Sequence, residues 1–434
     1  MEWLDKVPEH WHVANIKRST YLKGRVGWKG LTSNEFEVES YAYLVTGTDF
    51  KNKYVEWSFC YQVNEERFND DPYIQLKNND LLITKDGTIG KLAVVKDLDK
   101  PACLNSGIFL IRPEKYYLSE YMYYILKSSV FKNFFEIHST GSTILHLYQN
   151  VFEKFSFAYP SFNEQKKIVS FLDTETTRID NLIAKQEKLI ELLEEQRKSI
   201  ISHAVTKGLN PNAPMKDSGV EWLGDVPSHW ATPSSKHLLE IPITDGPHET
   251  PNFVDDGVPF ISAEAISKGK IDFNKKRGYI TPELNKIYSR KYFPRIEDIY
   301  MVKSGATTGK VAMVETTDEF NIWSPLAVFR CNKNKIFPNF LLSVFNSSHF
   351  YDALVLNWSY GTQQNIGMGV LSNIEIPCPP LKEQNEIIEY LDTENLKFDN
   401  LISKQQALIE KLKEYRSSII SHAVTGKIDV REFC

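Results

Sequence analysis

Cysteine is scarce and unpatterned in this chain. Five thiols, Cys60, Cys103, Cys331, Cys378 and Cys434, are scattered through 434 residues with no CxxC pair among them. That spacing argues against a zinc ribbon or a disulfide framework, and leaves buried or free thiols in a reducing cytosol as the expectation. No run of 18 apolar residues occurs, so no membrane-spanning helix is expected. The opening MEWLDKVPEHW is acidic and lacks the apolar stretch of a secretory leader. Catalytic signatures are missing too: there is no HExxH, GxSxG or GxGxxG, and no Asn/Asp-Pro-Pro-aromatic tetrapeptide. No PD…(D/E)xK pattern stands in a supporting context. No active site is therefore read from the chain, neither catalytic residues nor metal ligands.

Excess positive charge is also lacking, because 51 Lys and Arg face 56 Asp and Glu, for a net charge of −5. That balance excludes a histone-like polycation but not a sequence-specific nucleic-acid reader, for which clustering on one face is what matters. Local clusters exist. Lys17, Arg18, Lys23, Arg25 and Lys29 are interleaved with Tyr21 and Trp28. Lys275, Lys276 and Arg277, then Arg290, Lys291 and Arg295, form a second set. Each cluster also reads as an ordinary solvated face.

What the chain does have is a duplication. Residues 164–206 return at 383–425, 219 positions later, identical at 27 of 43 positions without a gap. EWLDKVPEHW (residues 2–11) returns as EWLGDVPSHW (residues 221–230) at the same offset. The stretches between, about 12–158 and 231–377, are far less alike. Two matched frames around two mismatched inserts imply one repeated surface and two different specificities.

The repeats read as helices of about 42 residues, roughly 60 Å long at 1.5 Å per residue. Neither has Gly or Pro inside, and Ser161-x-x-Glu164 forms a possible capping box. Gly208 and Gly426 mark their ends. Apolar residues recur at Ile168, Leu172, Ile179, Leu182, Leu189, Leu193 and Ile200, and at Ile387, Leu391, Phe398, Leu401, Leu408, Leu412 and Ile419. The period is that of a coiled coil, with Leu182, Leu189, Leu193, Leu401, Leu408 and Leu412 as the expected pairing and partner-binding positions. Polar residues interrupt the stripe, among them Gln186, Gln405 and His203. They either face water and set register, or leave part of each helix for a partner. An antiparallel helix pair closes such a chain most simply.

The inserts read as mixed α/β. Strands are expected at 80–84 and 91–95 and at 298–302 and 310–314, each pair flanking a glycine-rich turn, KDGTIGK (residues 85–91) and KSGATTGK (residues 303–310). The second turn lacks the spacing of a phosphate-binding loop, and Val311 follows its Lys where Ser or Thr is required, so a hairpin is expected. Helices are expected over 120–135 and 338–354. His10 and His229, beside Trp11 and Trp230, read as packing that anchors an insert to a helix end. Lys85, Thr88, Lys91, Lys303, Thr307 and Lys310 are candidates for DNA contact, because a glycine-rich turn can approach a duplex closely; the alternative is a plain hairpin. Gln363 and Gln364 suit adenine recognition, or cap the helix junction.

EWLGDVPSHW, PPLKEQNEIIEYLD and KQQALIEKLKEYRSSIISHAVTGKIDVR, with both glycine-rich turns, resemble the specificity subunit of type I restriction–modification systems. The resemblance spans the whole chain in the order insert, helix, insert, helix. It implies an α+β fold of two mixed α/β target recognition domains joined by two long antiparallel helices in a coiled coil, an internal repeat with pseudo-two-fold symmetry. The implied domains are 1–158 and, after a linker, 211–377, with spacer helices over 159–210 and 378–434. The implied role is non-catalytic: reading a bipartite, asymmetric target on double-stranded DNA. Implied partners are two modification subunits using S-adenosylmethionine and, in most systems, two restriction subunits using ATP and Mg, in the cytoplasm and without a membrane. A protein-only coiled-coil scaffold, or an enzyme fused from two methyltransferase halves, are the rival classes. One departure stands out: 207–218 carries no short tandem repeat of the kind some members use to vary spacing.

Overall fold

The computed structural model describes residues 2–4, 6–25, 31–138, 146–267, 269–356, 359–360 and 364–433. The chain splits into two compact units, Met1–Glu187 with Gln406–Cys434, and Lys188–Gln405. Each holds one insert and a stretch of both long helices. Among the described residues, no helix is long and apolar enough to cross a membrane.

The long helices run Phe162–Lys207 and Leu381–Val424. The Ser161 hydroxyl accepts the Glu164 amide at 3.3 Å, which is one half of the expected capping box. The Glu164 carboxylate instead accepts the Trp11 indole N–H at 3.0 Å and meets His10 at 3.1 Å. Glu383 meets His229 at 2.7 Å in the same way. The helices end on left-handed glycines, Gly208 at φ +75° and Gly426 at φ +70°. Gly426 has a second reason to be glycine, since a Cβ there would lie 2.5 Å from the Pro8 ring.

Within each unit the two helices run antiparallel. In the first, Lys167 donates to the Arg431 carbonyl and, further along, Asp180 takes both arms of Arg416 at 2.8 and 3.0 Å. In the second, Arg197 pairs with Asp399 at 2.5 Å, the same two positions with the helices exchanged. The seam corrects the sequence expectation by one residue. Ile402 and Ile409 are 8% and 6% exposed, whereas Leu401 and Leu408 are 42% and 41% exposed. Leu189 is likewise exposed, while Leu182, Leu193 and Leu412 are half-buried. In the Leu401-Ile402 and Leu408-Ile409 doublets the isoleucine is the buried member. Both residues fit an apolar stripe, so periodicity could not choose between them.

Each insert is built on a sheet buried on both faces, antiparallel throughout in the second unit and antiparallel but for the parallel Tyr54–Val55/Leu92–Val94 pair in the first. In the first unit the strand order is Thr20–Gly24, Ile108–Pro113, Leu81–Thr84, Leu92–Val94, Tyr54–Val55, Phe50–Lys51. Leu81, Ile83, Phe109 and Ile111 pack toward the helices, while Leu82, Ile108 and Leu110 face a second, three-stranded sheet. This is the alternation of a two-sided strand. The second unit repeats the pattern with Thr244–Asp245, Leu326–Phe329, Ile299–Val302 and Val311–Met313. Ile299, Met301 and Phe329 face one way, and Tyr300, Val302 and Val328 the other. The helices expected over 120–135 and 338–354 are each broken once, into Ser119–Lys127 and Ser129–His138, and Pro338–Phe345 and Ser348–Leu356.

Matched polar contacts fasten each insert to its helices. Gln165, fully buried, accepts the Leu118 amide and donates to the Tyr116 and Pro160 carbonyls. Gln384 does the same with Phe337, Lys335 and Pro379. The Ser421 hydroxyl accepts the Ser129 amide at 3.0 Å, and Ser202 that of Ser348 at 2.9 Å. Thus the helix that follows each break begins on a serine of a long helix. Buried Asp80 is gripped by both arms of Arg112 at 2.7 Å, and Asp298 likewise by Arg330.

Candidate nucleic-acid interface

The glycine-rich turns close the Leu81–Thr84/Leu92–Val94 and Ile299–Val302/Val311–Met313 hairpins. In the first, Gly87 and Gly90 have φ of +65° and +82°, and nothing lies within 4 Å of where their Cβ atoms would be. Thr84 Oγ1 donates to the Thr88 carbonyl at 2.5 Å and accepts the Lys91 amide at 3.0 Å, which sets the loop's shape. In the second, Gly305 and Gly309 have φ of +101° and +88°, and Thr308 Oγ1 donates to the Gly305 carbonyl. The Leu147 amide donates to the Lys85 carbonyl, and that of Ile366 to Lys303, so each turn is seated on the chain returning to a long helix. These are hairpins, open on one side. Thr88, Lys91 and Lys310 are exposed, and Thr307 is half-buried.

The first lysines of the two turns meet different surroundings. Lys85 Nζ stands 5.0 Å over the Phe109 ring. Lys303, only 11% exposed, lies 3.3 Å from the Asp245 carboxylate. Asp245 also binds Lys291 at 2.5 Å and His248 at 3.0 Å. Burial alone would raise the pKa of Asp245, but the hydrogen bond and charge of Lys291, with Lys303 and His248, outweigh it and leave the carboxyl below its usual range. The following loop is pinned: a Cβ on Gly246 would fall 2.0 Å from the Ile322 carbonyl, and the Trp323 indole donates to the Glu249 carbonyl.

The other expected contacts divide. Lys23 is exposed, with Nζ 5.9 Å from the Tyr21 and Tyr73 rings. Arg25 departs from expectation. It is 2% exposed and donates through Nε to the Leu104 carbonyl at 2.9 Å, so its charge serves the fold and not a surface. Lys275 is exposed beside Asp272, Lys276 lies over the Tyr279 ring at 4.7 Å, and Arg277 stacks on Trp323 at 5.5 Å. Arg277 and Trp323 thereby form a cationic-aromatic plate beside the Asp245 loop. Lys29, Trp28 and Gln363 lie outside the described residues, and of Gln364 only the backbone is described, in the strand Gln364–Asn365. Sequence reading missed Asp245, His248 and Trp323, because their meaning depends on a strand pairing that brings distant residues together.

The helices present a second surface. Leu189, Leu192, Leu396 and Leu401 in one unit, and Leu408 and Tyr415 in the other, are large apolar side chains left exposed beside the seams.

Comparison with known proteins agrees with this geometry. A family model described as the type I restriction modification DNA specificity domain matches residues 29–194 and 238–414. The MjaVIII specificity subunit of Methanocaldococcus jannaschii is 26% identical over 98% of this chain and 95% of its own. The EcoKI specificity subunit of Escherichia coli is 21% identical over 98% and 90%. Among solved structures, a chain from work on complex assembly and conformational transition of the type I R-M system superposes with a TM-score of 0.70, at 17% identity over 98% and 100%. The HsdS subunit from Thermoanaerobacter tengcongensis does so at 0.53, with 16% identity over 98% and 99%.

Proposed function

Because this chain belongs to the family of type I restriction–modification DNA specificity subunits, we propose that its two inserts read the two halves of a split target on double-stranded DNA. The observation that carries this reading is the pairing of like anchors with unlike readers. Arg416–Asp180 recurs in Arg197–Asp399 through one hydrogen bond instead of two, and the Gln165/Gln384 and Ser421/Ser202 anchors repeat contact for contact. The surroundings of the turn lysines do not.

In this reading residues 1–158 and 211–377 are the recognition domains. Exposed Lys23, Lys91, Lys275 and Lys310 position the backbone, while Thr88, Thr307, Gln363 and Gln364 are candidates for base edges. Leu189 and Leu408, exposed at equivalent positions of the two helices, are the candidates to dock two modification subunits, since equal subunits require equal docking faces. Those subunits carry S-adenosylmethionine and the adenine-methylating chemistry, and restriction subunits carry ATP and Mg. The specificity subunit itself contributes no catalytic group, and the assembly works in the cytoplasm.

Reconstitution with the modification subunits and sequencing of methylated DNA tests the reading. A bipartite methylated motif is expected. Assembly without any motif-dependent DNA binding would instead favour the protein-only scaffold.

A further inference from the structure

The strand register shows that three equivalent positions beside the turn lysines differ between the two units. In the first unit Gly24 pairs with Phe109, which pairs with Ile83, two residues before Lys85. In the second, Asp245 pairs with Ala327, which pairs with Met301, two residues before Lys303. Gly24 is needed where it stands, since a Cβ would lie 2.9 Å from the Phe109 ring, and that ring supports Lys85. Ala327 supplies no ring, and a carboxylate takes its place beneath Lys303.

The consequence is a difference in how freely each lysine moves. A cation over a ring face is attracted without a fixed hydrogen-bond direction. Lys303 and Lys291 share one nearly buried carboxylate, whose own loop is held by the tight Gly246–Ile322 approach. Lys291 also donates to the Gly246 carbonyl at 3.4 Å, and since each ammonium has three protons, at least one donor is left on each lysine. We propose that Asp245 is a positioning residue of the second reader, holding Lys291 and Lys303 as a fixed pair of donors for the acceptor edge of a guanine in the second half-site. Guanine presents two neighbouring acceptors, O6 and N7, in the major groove, and lysine only donates. A phosphate is served as well by the freely exposed Lys310 and Lys275. The inference rests on the reading of the second unit as a DNA reader and adds which base it selects.

The test uses the full chain assembled with its modification subunits and a set of duplexes in which each base pair of the second half-site is varied. Asp245→Asn is expected to lower discrimination at one G·C pair by about 10- to 100-fold, leaving the first half-site and the salt dependence of binding unchanged. Lys291→Met, at a half-exposed side chain whose removal spares the sheet, is expected to relax the same pair, and stands in if Asp245→Asn unfolds the unit. Unchanged discrimination in folded variants overturns the inference. So does uniformly tighter binding to every duplex, which would make Asp245 a shield, or a second half-site without any G·C pair. A wild-type complex indifferent to the second half-site would refute the reading beneath it instead.

Discussion

At the scale of single residues, the contacts that matter most are buried and polar. Gln165 pairs three backbone groups, the Leu118 amide and the Tyr116 and Pro160 carbonyls, from a fully buried side chain. Gln165→Leu keeps the volume and removes all three bonds. At about 1–3 kcal/mol for each buried group left unpaired, a loss of about 3 kcal/mol or more is expected, read as a fall in the melting temperature of the first unit. Lys127 works in the other direction. Burial, with the nearby Arg416 cation, pushes its pKa down from 10.5 to about 8 against the opposing pull of Asp180. The fold therefore disfavours its charged form. Between about pH 8 and 10.5 the unfolded chain binds the proton that the folded one has released, so stability should rise with pH across that window. Below it the penalty is fully present. Lys127→Met should stabilise the protein at pH 7 by about 1–3 kcal/mol and flatten this rise, as followed by thermal melting across the pH series.

At the scale of elements, neighbouring residues of the long helices separate a buried apolar seam from exposed apolar side chains, to which the proposed function gives the docking role. Ile409→Asp would place an unpaired charge in the seam and should destabilise the isolated subunit by several kcal/mol. Leu408→Asp, one position earlier, changes an exposed side chain. Its melting temperature should stay within a degree or two while assembly with modification subunits weakens. Size-exclusion chromatography of both variants separates the roles, and equal loss of fold would abolish the distinction. The helices, their glycine ends and the hairpins around both turns were legible in the sequence, because periodicity, capping and turn chemistry are local. The register of the Leu-Ile doublets was not, since either residue satisfies the stripe. Nor was the burial of Arg25, whose partner Leu104 is far along the chain, or the Asp245 cluster, which depends on strand pairing. The serines that cap Ser129–His138 and Ser348–Leu356 were hidden for the same reason.

At the scale of the whole molecule, the duplication separates what must be shared from what must differ. Among the residues that repeat are those that fasten insert to helix: Trp11 and Trp230, Gln165 and Gln384, Ser421 and Ser202. The residues that diverge lie on the turns, on the sheet end beneath them and in the loops beside them. An insert should therefore be exchangeable as long as the fastening contacts survive. Replacing residues 12–158 with the corresponding insert of a relative that retains the Tyr116, Leu118 and Ser129 contact positions keeps the Gln165 and Ser421 bonds, because both use backbone groups of the insert. Backbone bonds tolerate a change of side chain, which is why two unlike inserts already sit on one repeated frame here. The expected result is a complex that assembles normally and methylates a motif with a new first half and the original second half. Sequencing of methylated sites reads both halves at once. A change in both halves would mean that the readers are coupled, and loss of assembly would mean that the inserts, not the helices, carry the docking face.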